Sequence, residues 1–361
     1  MKKFNVIILA ALWLILTGLA WFSPAEDISE SERRKLAQFP ELSLNTVLGG
    51  DFMTDFEDYT LDQFPLRDSF RQLKALFHYK VLGQKDNNDI YVADGYAAKL
   101  EYPLNQGSVS NAVEKFNAIY EKYLRDSKVV ISVVPDKGLY LAEENGYPTM
   151  DYESLFEAIH TGMPWAEFAD ISDLLSIEDY YRTDTHWRQE NILDAAQRLC
   201  EALNVTAFEE GDLTPEIIQR PFYGVYYGQA ALPMEPETMY VMRNEILDHC
   251  TVYNHETGKY TEVYDMDKLD AQDLYDVYLS GAAALLTIEN PAAATDKELI
   301  VFRDSFGSSI VPLLLKDYAV VTVVDTRYIA SDLLANFVDF HGQDVLFLYS
   351  TLILNNSNSL K

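Results

Sequence analysis

Hydrophobic and polar positions divide the chain into three parts. Residues 4–22 are almost all apolar, which is close to the roughly 20 residues that a helix needs to cross a bilayer. Between Phe52 and Leu82 the large apolar residues recur at helical spacing, which predicts a helical stalk or lid. A short strand at 90–92 then opens the body of the protein. We therefore expect segments 1–25, 26–85 and 86–361.

The body shows alternating strand and helix patterns. A helix predicted over Asn111–Leu124 leads into Val129–Val134, a continuous apolar run typical of a buried parallel strand. Further on we predict a strand at 299–302, a helix at 308–315, a strand at 320–324, a helix at 329–340 and a strand at 345–349. This alternation predicts an α/β fold with a parallel sheet between helices and functional loops at the strands' carboxyl ends. Irregular, Tyr-rich and acidic sequence between Glu209 and Asp276 indicates an insertion at about 205–280 that shapes a substrate cleft.

Charges around the apolar N-terminal run indicate where the body lies. Lys2 and Lys3 precede the run and Glu26 and Asp27 follow it, an order that leaves the body outside the cytoplasm. The run is longer than the roughly 7–15 apolar residues of a signal peptide, so we favour an uncleaved anchor in the cell membrane. The alternative is a signal peptide cleaved at the small residues 23–25, which would release a secreted protein.

Composition excludes some classes of partner. The formal net charge of -29 argues against nucleic acid and against an anionic membrane surface, since both would repel the chain in the absence of a local basic patch. Cys200 and Cys250 either form one disulfide or stay as two buried thiols. We expect no metal, because the segment between Cys250 and His255 has the pattern of a strand and lacks zinc-site spacing. We also expect no cofactor, because Gly307 and Gly281 are isolated glycines and form no dinucleotide fingerprint.

Arg303-Asp304-Ser305-Phe306-Gly307 lies where a predicted strand ends and a predicted helix begins. A serine at this point projects its hydroxyl above the sheet, and the N–H groups of the following helix suit a developing oxyanion. The alternative is that Ser305 only caps the helix.

Thr183-Asp184-Thr185-His186-Trp187 precedes another predicted helix. A carboxylate two positions before a histidine can fold back onto ring atom Nδ1 and leave Nε2 to take a serine proton. The alternative is a surface histidine beside a capping aspartate. Together with a serine at a strand end in an exported α/β chain, the motif predicts a catalytic triad of Ser305, His186 and Asp184.

These motifs resemble the family named for its Asp-His-His-Trp (DHHW) signature, relatives of the alginate O-acetyltransferases with an SGNH-hydrolase-like domain. Thr185 stands where the signature has its middle histidine. Further segments carry the resemblance: 32–36 with 39–40, 62–67, 134–137, and 304–307 with 325–328. The order Asp, His, Ser implies a sheet that is circularly rearranged relative to ordinary SGNH esterases. The resemblance also implies a membrane-bound O-acyltransferase partner that supplies acetyl groups for an exported polysaccharide acceptor.

The expected function is therefore an extracytoplasmic O-acetyltransferase acting through an acyl-serine. Two alternatives stay open: a carbohydrate acetylesterase with the same triad, and a non-catalytic glycan-binding protein of the cell envelope. Arg303, Arg327, Lys137 and Gly281 are further candidates for contacting an oxyanion, and none has an assigned role.

Overall fold

The computed structural model describes residues 2–29 and 31–361. Met1 and Glu30, which fall in the predicted segments 1–25 and 26–85, lie outside the described residues. The chain forms two compact units. One holds the residues up to Asn88 together with Tyr227–Met234, and the other holds Asp89–Tyr226 with Glu235–Lys361.

The first unit is mainly helical. Residues Phe4–Phe22 of its first helix are long and apolar enough to cross a membrane, which is compatible with an anchor or a signal sequence. The predicted helical stretch 52–82 is helical but divided at 63–66, where Pro65 has no backbone N–H to donate and Leu66 has a left-handed backbone conformation. The elements are α1 (Lys2–Phe22), β1 (Ile28–Ser29), β2 (Arg34–Lys35), α2 (Leu44–Gly49), α3 (Asp51–Asp62) and α4 (Arg67–Lys80).

The second unit is an α/β structure. Its first half contains β3 (Ile90–Ala93), β4 (Tyr96–Lys99), α5 (Gln106–Ile119), β5 (Val129–Val134), α6 (Gly138–Leu141), α7 (Tyr152–Gly162), β6 (Glu167–Phe168), α8 (Leu193–Leu203) and β7 (Thr214–Ile217). Helix α9 (Val225–Ala230) begins in this unit. The second half contains β8 (Tyr240–Arg243), α10 (Glu245–His249), β9 (Thr251–Asn254), β10 (Lys259–Thr261), β11 (Leu285–Glu289), β12 (Lys297–Arg303), α11 (Gly307–Ile310), β13 (Tyr318–Val324), β14 (Asp344–Ser350) and α12 (Thr351–Asn355).

An eight-stranded sheet forms the centre of this unit, in the order β10-β9-β11-β13-β12-β14-β5-β6. Strands β13, β12, β14, β5 and β6 run parallel. Their buried runs of Val, Ile, Leu and Phe pack against α8 on one face and against α5, α7 and α12 on the other. Each such side chain contributes about 1.5–3 kcal/mol when fully buried. The predicted α/β fold, a parallel sheet flanked by helices, is confirmed.

Two local predictions differ from the structure. The segment 329–340 is not an α-helix but contains only a 3₁₀ turn, Ser331–Asn336. Only Leu334 and Val338 are buried there, so a continuous apolar face that would stabilise a longer helix is missing. The helix predicted at 308–315 is α11 followed by a 3₁₀ turn, since Pro312 has no backbone N–H to donate.

The region predicted as an irregular insertion also contributes to the sheet. Strands β9 and β10 lie within it and pair antiparallel with each other, and β9 pairs with β11. Strand β11 is in turn antiparallel to β13, so one side of the parallel sheet carries an antiparallel edge. The carboxyl ends of β5, β12 and β14 lie away from that edge, in the parallel part of the sheet.

Candidate functional site

Ser305 lies in a tight turn two residues beyond the end of β12. The turn is held by the buried side chain of Asp304, whose Oδ1 accepts from the backbone N–H of Phe306 at 3.0 Å. Its Oδ2 accepts from the N–H of Ser350 at 2.7 Å, which ties the turn to the end of β14. The predicted strand-end position of Ser305 is therefore present, and a neighbouring parallel strand fixes it.

Asp184 and His186 make the local contact that their spacing predicts. Oδ1 of Asp184 accepts from the backbone N–H of His186 at 3.0 Å and lies 2.6 Å from Nδ1 of the same ring. The carboxylate is fully buried and the imidazole is nearly so. An acceptor at Nδ1 favours the tautomer that leaves Nε2 free to accept a proton.

The imidazole also reaches the serine. Nε2 of His186 lies 2.8 Å from Oγ of Ser305, across a sequence separation of 119 residues. Ser305 accepts from the N–H of Ser308 with its backbone carbonyl, while its hydroxyl contacts His186. The side chain thus does not form the helix cap that was the alternative interpretation, and the three predicted residues form one hydrogen-bonded chain.

Two aromatic side chains contact the imidazole of His186. The ring of Tyr275 stacks on His186 with centroids 3.9 Å apart and planes at 10°, and Phe306 packs at 4.9 Å. The Tyr275 hydroxyl donates to Oγ of Ser309 at 2.7 Å. Burial raises the pKa of Tyr275 well above its ordinary value, so this hydroxyl stays neutral.

Trp187 and Gln189 connect the histidine loop to the serine turn. The buried Trp187 indole donates to Oγ of Ser309 at 2.9 Å and to the carbonyl of Phe306 at 3.2 Å. The Gln189 amide donates to the carbonyl of Ser309 at 2.7 Å. The tryptophan of the signature therefore has a structural reason to follow His186, because it sets the distance between the two halves of the site.

Gly224 and Val225 support the aspartate from behind. The N–H of Val225 donates to Oδ2 of Asp184 at 2.8 Å, and that of Gly224 donates to the Thr183 hydroxyl at 3.0 Å. A Cβ atom on Gly224 would lie 2.3 Å from the Cα of Asp184, so only glycine permits this approach. Sequence spacing gave no indication of this contact, since it depends on how the region after α8 packs.

Thr185 and Lys137 lie beside the aspartate turn. At Thr185, where the signature has its middle histidine, the threonine hydroxyl accepts a hydrogen bond from the Tyr226 hydroxyl at 3.0 Å. Nζ of Lys137 donates to the carbonyl of Tyr181 at 2.9 Å and lies 5.1 Å from the centre of the Tyr226 ring. Burial lowers the pKa of Lys137 to about 7.

The remaining oxyanion candidates have protein partners. Arg327 forms a two-point ion pair with Asp325, with contacts of 2.6 and 2.9 Å. Arg303 is fully buried, donates to the carbonyl of Gly281 at 3.3 Å and lies 3.7 Å from Asp325. The N–H of Gly281 donates to the carbonyl of Tyr278. The hydrogen bonds of these groups go to one another and to neighbouring residues, and none of them goes to Ser305.

The two cysteines are free thiols, both buried, which decides between the alternatives left open by the sequence. Burial raises the pKa of each to about 12. Within residues 2–29 and 31–361, no group of three or more His, Cys, Asp or Glu side chains is arranged to hold a metal ion.

The chain is similar to known DHHW proteins in sequence and in fold. The family model for DHHW proteins matches residues 175–324, a range that includes all three residues of the hydrogen-bonded chain. The structure is similar to a DHHW family protein from Eubacterium siraeum, at 23% identity and a TM-score of 0.63, over 76% of this chain and 94% of that chain. The resemblance to the DHHW family that the sequence predicts is confirmed. No curated protein matches the sequence.

Bacillus cereus PatB1 has a similar fold, at 17% identity and a TM-score of 0.58, over 73% of this chain and 96% of that chain. A second structure of PatB1 carries a sulfonyl adduct and is also similar, at 17% identity and a TM-score of 0.57, over 73% of this chain and 97% of that chain. At these identities the likeness is one of fold.

Proposed function

We propose that this protein is an extracytoplasmic O-acetyltransferase that works through an acyl-serine on Ser305. The observation that carries the proposal is the chain of contacts from Asp184 through His186 to Ser305, at 2.6 and 2.8 Å. Such a chain makes a serine hydroxyl nucleophilic at neutral pH, because the imidazole accepts its proton and the carboxylate stabilises the imidazolium.

The reaction proceeds in two balanced steps. Oγ of Ser305 attacks the carbonyl carbon of an acetyl donor while its proton moves to Nε2 of His186, and the leaving group then takes that proton. In the second step an acceptor hydroxyl gives its proton to His186 and attacks the acetyl-serine, which returns the serine hydroxyl and releases the acetylated product. We propose the backbone N–H of Ser305 as an oxyanion donor, because it belongs to the residue whose Oγ would carry the acyl group.

We propose that the acceptor binds in a polar cleft of about 690 Å³, whose lining includes residues on both sides of the Asp184–His186 loop in sequence but neither His186 nor Ser305. Tyr96 and Tyr240 line it, together with Arg182 and Arg188, which flank the aspartate-histidine loop in sequence. Glu190 lies there too, paired with Arg188 at 2.7 Å, and its Oε2 has no hydrogen-bond partner in the described part of the chain. Aromatic faces beside guanidinium and carboxylate groups suit a sugar, which has apolar ring faces and many hydroxyls.

Two comparisons support the proposal. The resemblance to DHHW relatives of alginate O-acetyltransferases implies transfer to a polysaccharide, with a membrane-bound O-acyltransferase as the acetyl supplier. PatB1, similar in fold, is known with a sulfonyl adduct, and sulfonyl reagents bond to nucleophilic side chains. The helix Phe4–Phe22 fits a protein that is held at or exported across a membrane.

Intact mass after exposure to an activated acetyl ester tests the proposal. The wild-type chain should gain one acetyl group and Ser305→Ala should gain none. Ser110→Ala, at an exposed serine on α5, is the matched control and should behave as wild type. Equal acetylation of Ser305→Ala and wild type would contradict the proposal.

A second measurement separates transfer from hydrolysis. With labelled acetyl on the enzyme, a transferase delivers the label to added polysaccharide, whereas an acetylesterase releases it as acetate. Release of acetate alone, with every acceptor polysaccharide left unlabelled, would favour the esterase alternative. Absence of any covalent adduct would favour the non-catalytic glycan-binding alternative.

A further inference from the structure

Helix α4 exposes an apolar face in the first unit. Phe70, Leu73 and Phe77 are 44%, 62% and 50% exposed and lie three and four positions apart, so they share one side of the helix. Ala75, on the other side, is fully buried. The helix is thus packed through one face while its opposite, more apolar face is in contact with solvent in the isolated chain.

Basic side chains border this apolar face. Lys74 lies four residues after Phe70, and Lys80 lies three residues after Phe77, and both are exposed. Neither lysine has an acidic partner among the residues that the structure describes. Helix α4 has one acidic residue, Asp68, and four basic residues: Arg67, Arg71, Lys74 and Lys80. It is therefore basic, although the chain as a whole has a net charge of -29. Helix α4 is thus a local basic patch, which the net charge of the whole chain does not reveal.

The start of α4 lies beside the end of α1. The backbone N–H of Glu26 donates to the Gln63 side chain at 3.0 Å, and the Gln63 amide donates back to the carbonyl of Glu26 at 2.9 Å. A cavity of about 630 Å³ in this unit is lined both by Leu19 and Ser23 of the α1 end and by Leu66 at the start of α4.

Charged pairs reinforce the same junction. Asp62, the last residue of α3, accepts from Arg34 at 2.8 and 2.5 Å and from the N–H of Ala37 at 2.9 Å. The Arg34 guanidinium lowers the pKa of Asp62 to about 2, so the pair stays ionised. Glu32 forms ion pairs with Arg67 and Arg71, and these pairs hold the first turns of α4 against the segment that follows α1.

We propose that α4 lies on the outer surface of the lipid bilayer. Phe70, Leu73 and Phe77 would enter the boundary between headgroups and acyl chains, to a depth of about 5–10 Å, while Lys74 and Lys80 extend to lipid phosphates. A lipid surface is the occupant that fits, because the end of α1, which is long and apolar enough to cross a membrane, lines the same cavity as the first turn of α4, and because the flanking charge is basic. This inference is independent of the chemistry of Ser305.

Fluorescence quenching in vesicles tests the proposal with the full chain. Leu73→Cys places a label on the exposed face, and the two native thiols are buried, so an environment-sensitive thiol dye labels that position in the folded protein. The chain is reconstituted into vesicles of phosphatidylcholine with and without phosphatidylglycerol. We expect nitroxides on the acyl chains to quench the dye several-fold more than aqueous iodide does.

Charge reversal checks the role of the lysines. Lys74→Glu with Lys80→Glu should shift the quenching from the acyl-chain nitroxide toward iodide, most strongly in vesicles containing phosphatidylglycerol. The matched control, Lys35→Glu with Lys259→Glu, makes the same change in net charge at exposed positions outside α4 and should leave the quenching unchanged.

Two results would overturn the proposal. Ready quenching of the Leu73→Cys dye by iodide, with little effect of the nitroxide lipid, would place α4 in water. Protection from both quenchers that disappears as the protein is diluted among more vesicles would instead show that α4 packs against a second copy of the chain.

Discussion

Lys137 is a buried cation whose protonation is linked to folding. It lies among Asp184, Glu237 and Asp136, and burial still lowers its pKa from 10.5 to about 7. Between these two pH values the unfolded chain holds a proton that the folded chain has lost. The free energy of unfolding therefore rises with pH in this window, by up to about 1.4 kcal/mol per pH unit. Below pH 7 both states hold the proton, so Lys137 gives no pH dependence there.

Replacing Lys137 by methionine should remove that pH dependence. In urea unfolding of the full chain in detergent, wild type should gain stability relative to Lys137→Met between pH 7 and pH 9.5. Lys259→Met, at an exposed lysine, should follow wild type at both pH values. Parallel pH profiles for wild type and Lys137→Met would show that the buried amine does not titrate in this range.

Tyr240 gives a test of the acceptor cleft. Its ring lines the cleft, so Tyr240→Ala should raise the KM for a polysaccharide acceptor about tenfold, since one aromatic contact with a ligand is worth roughly 1–2 kcal/mol. Acetylation of Ser305 by a small ester should not change. Tyr260→Ala, at an exposed tyrosine of β10, is the control and should leave both rates unaltered. An equal loss in both reactions would assign Tyr240 to folding rather than to acceptor binding.

At the scale of elements, the segment that precedes α9 sets the orientation of the Asp184 carboxylate. In Gly224→Ala the new methyl group would overlap the Asp184 backbone, so the Asp184 turn must shift and His186 with it. We expect the rate of Ser305 acetylation by a small ester to fall by about tenfold or more, because displacements of about 1 Å are costly at a reacting centre.

The control for this variant is Gly107→Ala in α5. An added Cβ there meets only the Asn105 side chain, at 3.5 Å, and should slightly stabilise the helix. Both variants are compared by acetylation rate and by thermal unfolding. An unchanged acetylation rate in Gly224→Ala would mean that the turn absorbs the methyl group without moving the carboxylate.

How far the sequence predicts these elements depends on the range of the contacts. Strand β5 was predicted with its observed ends, because a buried parallel strand is a continuous apolar run. The contact between Asp184 and His186 is likewise local. By contrast, the stacking of Tyr275 on His186 and the approach of Gly224 depend on how the residues after α8 fold back, which no short pattern encodes. The antiparallel edge was missed for the same reason.

For the molecule as a whole, the two free thiols predict that stability against unfolding does not depend on redox conditions. Cys200 and Cys250 are buried, and their raised pKa values keep them protonated and poorly nucleophilic. Maleimide should label neither thiol in the native chain and both after denaturation without reductant. Thermal unfolding should be the same with and without a reducing agent. A denatured, unreduced chain that takes up no label would instead indicate a disulfide.

The position of β14 has a consequence for the protein during its synthesis. This strand, the last of the sheet in chain order, lies between β12 and β5, and its end at Ser350 also fixes the serine turn through Asp304. A chain emerging from its N-terminus therefore has two unpaired strand edges where the centre of the sheet will be, and a Ser305 turn that lacks its support from β14. Because these gaps close together, the contacts among Asp184, His186 and Ser305 can form only once nearly all of the chain has been synthesised.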